Sequence, residues 1–196
     1  MEFFKGYQSS THQPLLKAIL KAYSPKFILE LGIGDFSTPI LSGCGAVYMG
    51  IENDSEWIER FPGLNIIYHP VSFNNDTNLR SILGEFPQLH DYYSSIVIPP
   101  ERPNLLFVDN WTACRMVAIN ALRDKFDLIV YHDCQPRNLG TYNYNGINRA
   151  GFNFKYLTSP TSWTGLMYKK AKELDIQPFI DEYIKEWPDA SPMNLI

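Results

Sequence analysis

Short apolar runs alternate with stretches of helical periodicity as far as residue 132. Runs at Phe27–Leu31, Ala46–Ile51, Asn65–His69, Leu105–Asp109 and Asp127–His132 have the length and apolar density of buried strands. Between them the apolar positions recur every three or four residues. Thr11–Ala22 gathers Leu15, Leu16, Ile19 and Leu20 on one face, with Thr11 as the cap and Pro14 in the first turn. Ser37–Leu41 is a shorter helix with Pro39 in its first turn, closed by Gly43 and Gly45. Asp54 caps a helix that carries Trp57, Ile58 and Phe61, and Cys114–Arg123 is a further helix. Residues 72–103 read as a connection with a helical turn at Leu79–Leu83, in which Pro99, Pro100 and Pro103 exclude regular structure late on. After a loop at 134–151 rich in Gly, Asn and Tyr, Phe152–Leu157 and Trp163–Lys169 predict a closing strand pair, and an amphipathic helix follows near Phe179–Trp187. Strands alternating with helices predict a parallel α/β sheet, which binds its ligands at the carboxyl ends of its strands.

Those ends carry acids. Glu30 closes the first strand, Glu52 follows the second, Asp109 closes the fourth and Asp133 follows the fifth. One such acid reads as a helix cap. Four along one edge repel one another unless a cationic partner joins them. The first strand runs through Glu30 into Gly32-Ile33-Gly34 and then into Ser37-Thr38. A glycine turn before a helix suits an anion, but a carboxylate two residues ahead of the first glycine repels a pyrophosphate and attracts a cation. Glu52 lies about 20 residues beyond that glycine, where nucleotide-binding folds keep the acid that accepts ribose hydroxyls. Ser37 stands near the place of the third glycine of the dinucleotide fingerprint, which counts against NAD or FAD.

Composition narrows the classes further. The chain has 196 residues, 45% hydrophobic and 19% charged, with a net charge of −4. It has no cationic cluster of the kind that nucleic-acid binding needs. Its three cysteines, Cys44, Cys114 and Cys134, form no Cys-x-x-Cys pair, and His12, His69, His90 and His132 show no zinc-type spacing. No apolar run reaches the ~20 residues of a membrane span, and no basic-then-apolar leader opens the chain. The expected setting is the reduced cytoplasm.

With these motifs the chain resembles the class I S-adenosylmethionine-dependent methyltransferases over about residues 26–170. Phe27-Ile28-Leu29-Glu30-Leu31-Gly32-Ile33-Gly34 is similar to that superfamily's first motif and Val47–Glu52 to its second, while Asn104–Asp109 and Phe126–Tyr131 are similar to its fourth and fifth strands. The resemblance implies a Rossmann-like, doubly wound, mostly parallel seven-stranded sheet with a closing antiparallel pair. It divides the chain into a helical segment (1–25), the S-adenosylmethionine-binding domain (26–170) and a helical tail (171–196). It implies that Glu30 holds the methionine ammonium, directly or through water, that Gly32 and Gly34 let the backbone approach, and that Ser37 and Thr38 meet the methionine carboxylate. Glu52 would take the ribose hydroxyls and Asp109 would lie beside the sulfonium and the substrate. The adenine contacts fall around Val71–Phe73, and Asp35-Phe36 replaces a further glycine.

Phe107-Val108-Asp109-Asn110-Trp111 is similar, more narrowly, to the fourth-strand end of catechol-type O-methyltransferases. Those enzymes hold magnesium with that aspartate and an Asp-Asn pair after the fifth strand, which maps the metal onto Asp109 and Asp133. Cys134 takes the place of the asparagine, and a thiol is a poor ligand for a hard cation, though two carboxylates with waters could still hold the ion.

The expected reaction is methylation of a small molecule or sugar at oxygen, with no nucleic-acid or membrane partner. His132 is the candidate base beside Asp133. Strand alternation would instead point the two to opposite sides and leave His132 a satisfied core residue. Arg115 and Arg137 are candidates for an acidic substrate or plain surface charges, and Tyr92, Tyr93, Tyr142 and Tyr144 lie in the loops that would cover the site. Two other readings stay open: a nucleotide-binding α/β oxidoreductase, and a non-catalytic protein that keeps the fold without the chemistry.

Overall fold

The computed structural model describes residues 11–69, 88–111, 114–135, 142, 144–158, 162–172, 174–186 and 192–193. β1 (Phe27–Leu31), β2 (Val47–Glu52), β3 (Ile66–Tyr68), β4 (Asn104–Val108) and β5 (Leu128–Tyr131) run parallel. β6 (Phe152–Leu157) and β7 (Thr164–Lys169) pair antiparallel, with β7 against β5, and β8 (Pro192–Met193) adds a two-residue edge to β6. The order β3-β2-β1-β4-β5-β7-β6-β8 contains the doubly wound seven-stranded sheet expected from the sequence, with β8 as its one addition.

Each central strand is buried on both faces, which is why β1, β4 and β5 read as continuous apolar runs. Phe27, Leu29, Leu31, Leu106, Val108, Ile129 and Tyr131 face one core, shared with Val117, Ala118, Ile119 and Leu122 of α5 (Arg115–Leu122). Leu89 and Tyr93 join it from α4, a helix whose described part covers 88–95. The alternate residues Ile28, Leu105, Phe107, Leu128 and Val130 face a second core. There they meet Leu15, Leu16 and Ile19 of α1 (Gln13–Tyr23), Leu41 of α2 (Thr38–Ser42), and Phe179, Ile180 and Tyr183 of α6 (Gln177–Glu186). The N- and C-terminal helices therefore cover the same side of the sheet. No helix among the described residues is long and apolar enough to cross a membrane.

Local chemistry set most boundaries. Asp54 caps α3 (Ser55–Glu59) by accepting from the Glu56 N–H at 2.9 Å, and α3 stops short of Phe61. Thr11 does not cap α1. The N-cap is His12, without a side-chain bond, because the Thr11 hydroxyl lies 2.9 Å from His132 Nε2. Across β5 and β7, Tyr131 faces Gly165, and a Cβ on that glycine would stand 2.2 Å from the tyrosine ring. The expected helical turn at Leu79–Leu83, the adenine contacts at Val71–Phe73, and Arg137 lie outside the described residues.

Candidate active site

The sheet order reverses between β1 and β4, so their carboxyl-terminal loops part and leave a crevice. Gly32 shapes its floor. At φ +81° it adopts a conformation that L side chains avoid, and a Cβ there would come within 2.5 Å of the Asn110 backbone. Only glycine lets the β1 loop lie against the β4 loop. Gly34 has no such need, since its nearest neighbour in that direction is Ser37 Oγ at 4.0 Å. The resulting cavity has a volume of about 450 Å³ and is bounded by Gly32, Glu52, Trp57, Asp109, Trp111 and Arg115.

Glu52 is held by backbone alone. Its Oε2 accepts from Ile33 N–H at 3.0 Å, and its Oε1 accepts from Asn53 and Asp54 N–H at 2.7 and 3.0 Å. Burial raises its pKa against these three donors. The β1 loop and the β2 end are thereby locked together across the crevice. A smaller recess continues past Glu52 toward His69 and Tyr93, where His69 stacks on Tyr92 at 3.6 Å between ring centroids.

Glu30 has a different surrounding. It is fully buried and outside the cavity wall, on the α1 and α2 side of the sheet. Its Oε1 accepts from Ser37 at 2.5 Å, and its Oε2 from Thr38 at 2.9 Å and Tyr48 at 2.5 Å. Desolvation pushes the carboxyl up to about 7 against the pull of these hydroxyls. Ser37 and Thr38 also stand outside the cavity wall; their hydroxyls serve Glu30, and Thr38 Oγ1 accepts in turn from Gly34 N–H at 2.9 Å. The residues expected to meet the methionine end thus form an internal hydroxyl–carboxyl cluster that ties the glycine loop to α2.

Asp109 is reached from two sides. Its Oδ1 lies 2.8 Å from Arg115 Nη2, and its Oδ2 lies 3.5 Å from His132 Nδ1. Burial would raise this carboxyl; Arg115 and His132 reverse that and hold it well below the usual carboxylate range. Arg115, at the start of α5, is 5% exposed. Its Nε donates to the Asn110 carbonyl at 2.6 Å, and its Nη1 to the His132 carbonyl at 2.9 Å and to Asp133 Oδ2 at 3.4 Å. The guanidinium also packs on the Tyr142 ring at 4.4 Å. Asp133, at φ +60°, accepts in addition from Ser162 Oγ at 2.7 Å and Tyr142 at 3.3 Å.

The pair expected to hold magnesium, Asp109 and Asp133, holds one guanidinium instead. Asp109 Oδ1 and Asp133 Oδ2 face Arg115 at 2.8 and 3.4 Å, so the guanidinium fills the place between them that an ion would need. Cys134 is fully buried, and burial pushes its thiol well above its ordinary pKa, so it supplies no thiolate. This donor set does not fit magnesium.

His132 is 2% exposed and outside the cavity wall; it backs Asp109 rather than facing a substrate. Beside it lies His12, whose two ring nitrogens are buried without a hydrogen-bond partner among the described residues. Burial and the neighbouring His132 bring the His12 imidazole down to about 3. His12, Asp109 and His132 each have a donor atom within 4.8 Å of the others. Sequence reasoning passed over His12, which stands 120 residues from His132 (132 − 12), and over Asn110, Trp111 and Trp57 in the wall. Asn110 and Trp111 directly follow Asp109, so adjacency was a usable signal for them.

No family model matches the chain, and no curated protein matches it. Solved structures do. An O-methyltransferase from Bacillus cereus in complex with SAH is 12% identical, with a TM-score of 0.55 and 81% of each chain covered. A putative caffeoyl-CoA O-methyltransferase from Staphylococcus aureus is 14% identical at a TM-score of 0.52, covering 79% of this chain and 81% of that one. The fold is that of the class I S-adenosylmethionine-dependent methyltransferases. A SAM-dependent methyltransferase from Archaeoglobus fulgidus, 11% identical at a TM-score of 0.50, matches 85% of this chain and 96% of its own. In this methyltransferase fold the cavity lies at the topological switch point, where nucleotide ligands bind.

Proposed function

We propose that the chain is an S-adenosylmethionine-dependent methyltransferase that acts on an oxygen of a small molecule or sugar. The observation that carries this reading is the cavity at the β1/β4 switch point, with the Gly32 turn as its floor and the immobilised Glu52 carboxylate in its wall. Three backbone donors fix Glu52 in place and leave one lone pair, on Oε2, to accept a ribose hydroxyl. Asp109 stays ionised beside Arg115 and presents a carboxylate to the cavity, which favours a sulfonium. When bound, S-adenosylmethionine supplies an already activated methyl group. The protein's own task is to align acceptor and donor and to exclude water. Trp57 and Trp111 give the acceptor flat apolar walls. Glu30, Ser37 and Thr38 act by holding the glycine loop in shape. His132 acts through Asp109, whose second oxygen it faces.

Thermal unfolding with S-adenosylhomocysteine, with NAD and without ligand tests the reading. At 100 times its dissociation constant a ligand adds ~2.7 kcal/mol, roughly 5–11 °C for a chain of this length. The expected result is a shift with S-adenosylhomocysteine, lost in Glu52→Ala. A shift with NAD alone would refute it and favour the oxidoreductase.

A further inference from the structure

We propose that Arg115 is the permanent cation of this site, seated between Asp109 and Asp133 where catechol-type enzymes place a divalent ion, so that methyl transfer here runs without a metal. The proposal rests on the methyltransferase reading and specifies how its acceptor is held. The geometry is that of an occupied cation site. Carboxylates from the ends of two adjacent strands, β4 and β5, meet one guanidinium at 2.8 and 3.4 Å. Every nitrogen of that guanidinium is engaged: Nε by the Asn110 carbonyl, Nη1 by the His132 carbonyl and Asp133, and Nη2 by Asp109. Tyr144 adds a hydroxyl 3.4 Å from Nη1, and Tyr142 covers one face of the group. A side chain 5% exposed and held by six residues is part of the frame, and the guanidinium fills the place between the carboxylates.

This arrangement has a chemical consequence. A divalent ion gathers oxygen ligands and keeps positions for substrate oxygens. A guanidinium whose N–H groups are spent on the protein contributes a fixed positive field and no coordination position. The acceptor therefore need not offer two neighbouring oxygens. One hydroxyl suffices, with the rest of the molecule held by shape against Trp57 and Trp111. Arg115 is a positioning residue: it sets Asp109 and Asp133 and touches the acceptor through its field alone.

Manganese(II) is the probe, followed by electron paramagnetic resonance of the free ion. Wild type and Arg115→Lys should leave the ion free at concentrations where Arg115→Ala takes up one ion per chain. That uptake should disappear when Asp133→Asn is added to Arg115→Ala. The conservative lysine variant separates a lost charge from a merely damaged fold. Uptake by wild type that Asp133→Asn abolishes overturns the proposal, and this arm needs no folded Arg115 variant. Uptake by wild type that survives Asp133→Asn and vanishes in His12→Ala belongs to the His12–Asp109–His132 donors and also overturns the proposal, because Asp109 then serves an ion. The S-adenosylhomocysteine thermal shift, measured with EDTA and with manganese, keeps the two readings apart. No shift in either condition counts against the methyltransferase reading, whereas a shift that requires manganese counts against a metal-free site.

Discussion

Glu30 carries an ionisation penalty that can be measured directly. Its carboxyl is fully buried, receives three hydroxyl donors and sits at about 7, against 4.5 for the free side chain. Below pH 4.5 both folded and unfolded chains hold the proton and the full stability is present. Between 4.5 and about 7 the unfolded chain releases it while the folded chain keeps it, so stability falls by ~1.4 kcal/mol per pH unit. Above 7 both are ionised and the accumulated loss levels off at ~3 kcal/mol. Glu30→Gln removes this titration and keeps the shape, because the Ser37, Thr38 and Tyr48 hydroxyls can turn to accept from the new amide. Urea unfolding at pH 5 and pH 8 isolates the effect, since other titrations cancel between wild type and variant. The stability gained by the variant should be about 2 kcal/mol larger at pH 8 than at pH 5. A gain that is the same at both values would refute the reasoning. If Glu30 works by bracing the glycine loop, the S-adenosylhomocysteine shift should also persist in this variant.

Other outcomes follow from the same geometry. Arg115→Met leaves Asp109 and Asp133 without their partner; because those side chains are 22% and 24% exposed, the cost should lie at the low end for broken buried pairs, ~3 kcal/mol, read as a fall of roughly 6–12 °C in thermal melts at pH 7. Asp109 is held low in the folded state, so its share of that stability exists above about pH 4 and is lost as the pH falls, and the gap between variant and wild type should narrow on acidification. Gly32→Ala forces a Cβ to within 2.5 Å of the Asn110 backbone at a positive φ, and should cost at least ~2 kcal/mol in urea unfolding. Gly34→Ala, with open space around it, should stay within about 1 kcal/mol of wild type in the same measurement.

The strands were legible because their signal is local. Phe27–Leu31 is a strand over the very residues of its apolar run, and Asp54 caps α3 from the adjacent position. The partners of the charged residues were not legible, because they come together only when the sheet closes. Ser37, Thr38 and Tyr48 converge on Glu30 from two other elements, and Arg115 reaches Asp133 from the start of α5. Alternation argued that His132 and Asp133 point apart. β5 ends at Tyr131 and Asp133 turns to φ +60°, so alternation stops there and His132 Nδ1 comes to 3.7 Å from Asp133 Oδ1. Position alone makes Thr11 a helix cap, but His132 offers its hydroxyl a buried partner from a distant element.

The tyrosine seated over Gly165 acts as a ruler. Ser162 and Trp163 precede β7, and they meet Asp133 and Cys134 only because β7 is aligned on β5 with glycine opposite Tyr131. A slip of two residues keeps the same faces inward but moves the chain by roughly 7 Å. It would also set Trp163 or Met167 against the ring in place of hydrogen. The misaligned sheet would lose the 2.7 Å contact from Ser162 to Asp133 along with its packing. A residue with no side chain thereby fixes the spacing of the charged edge.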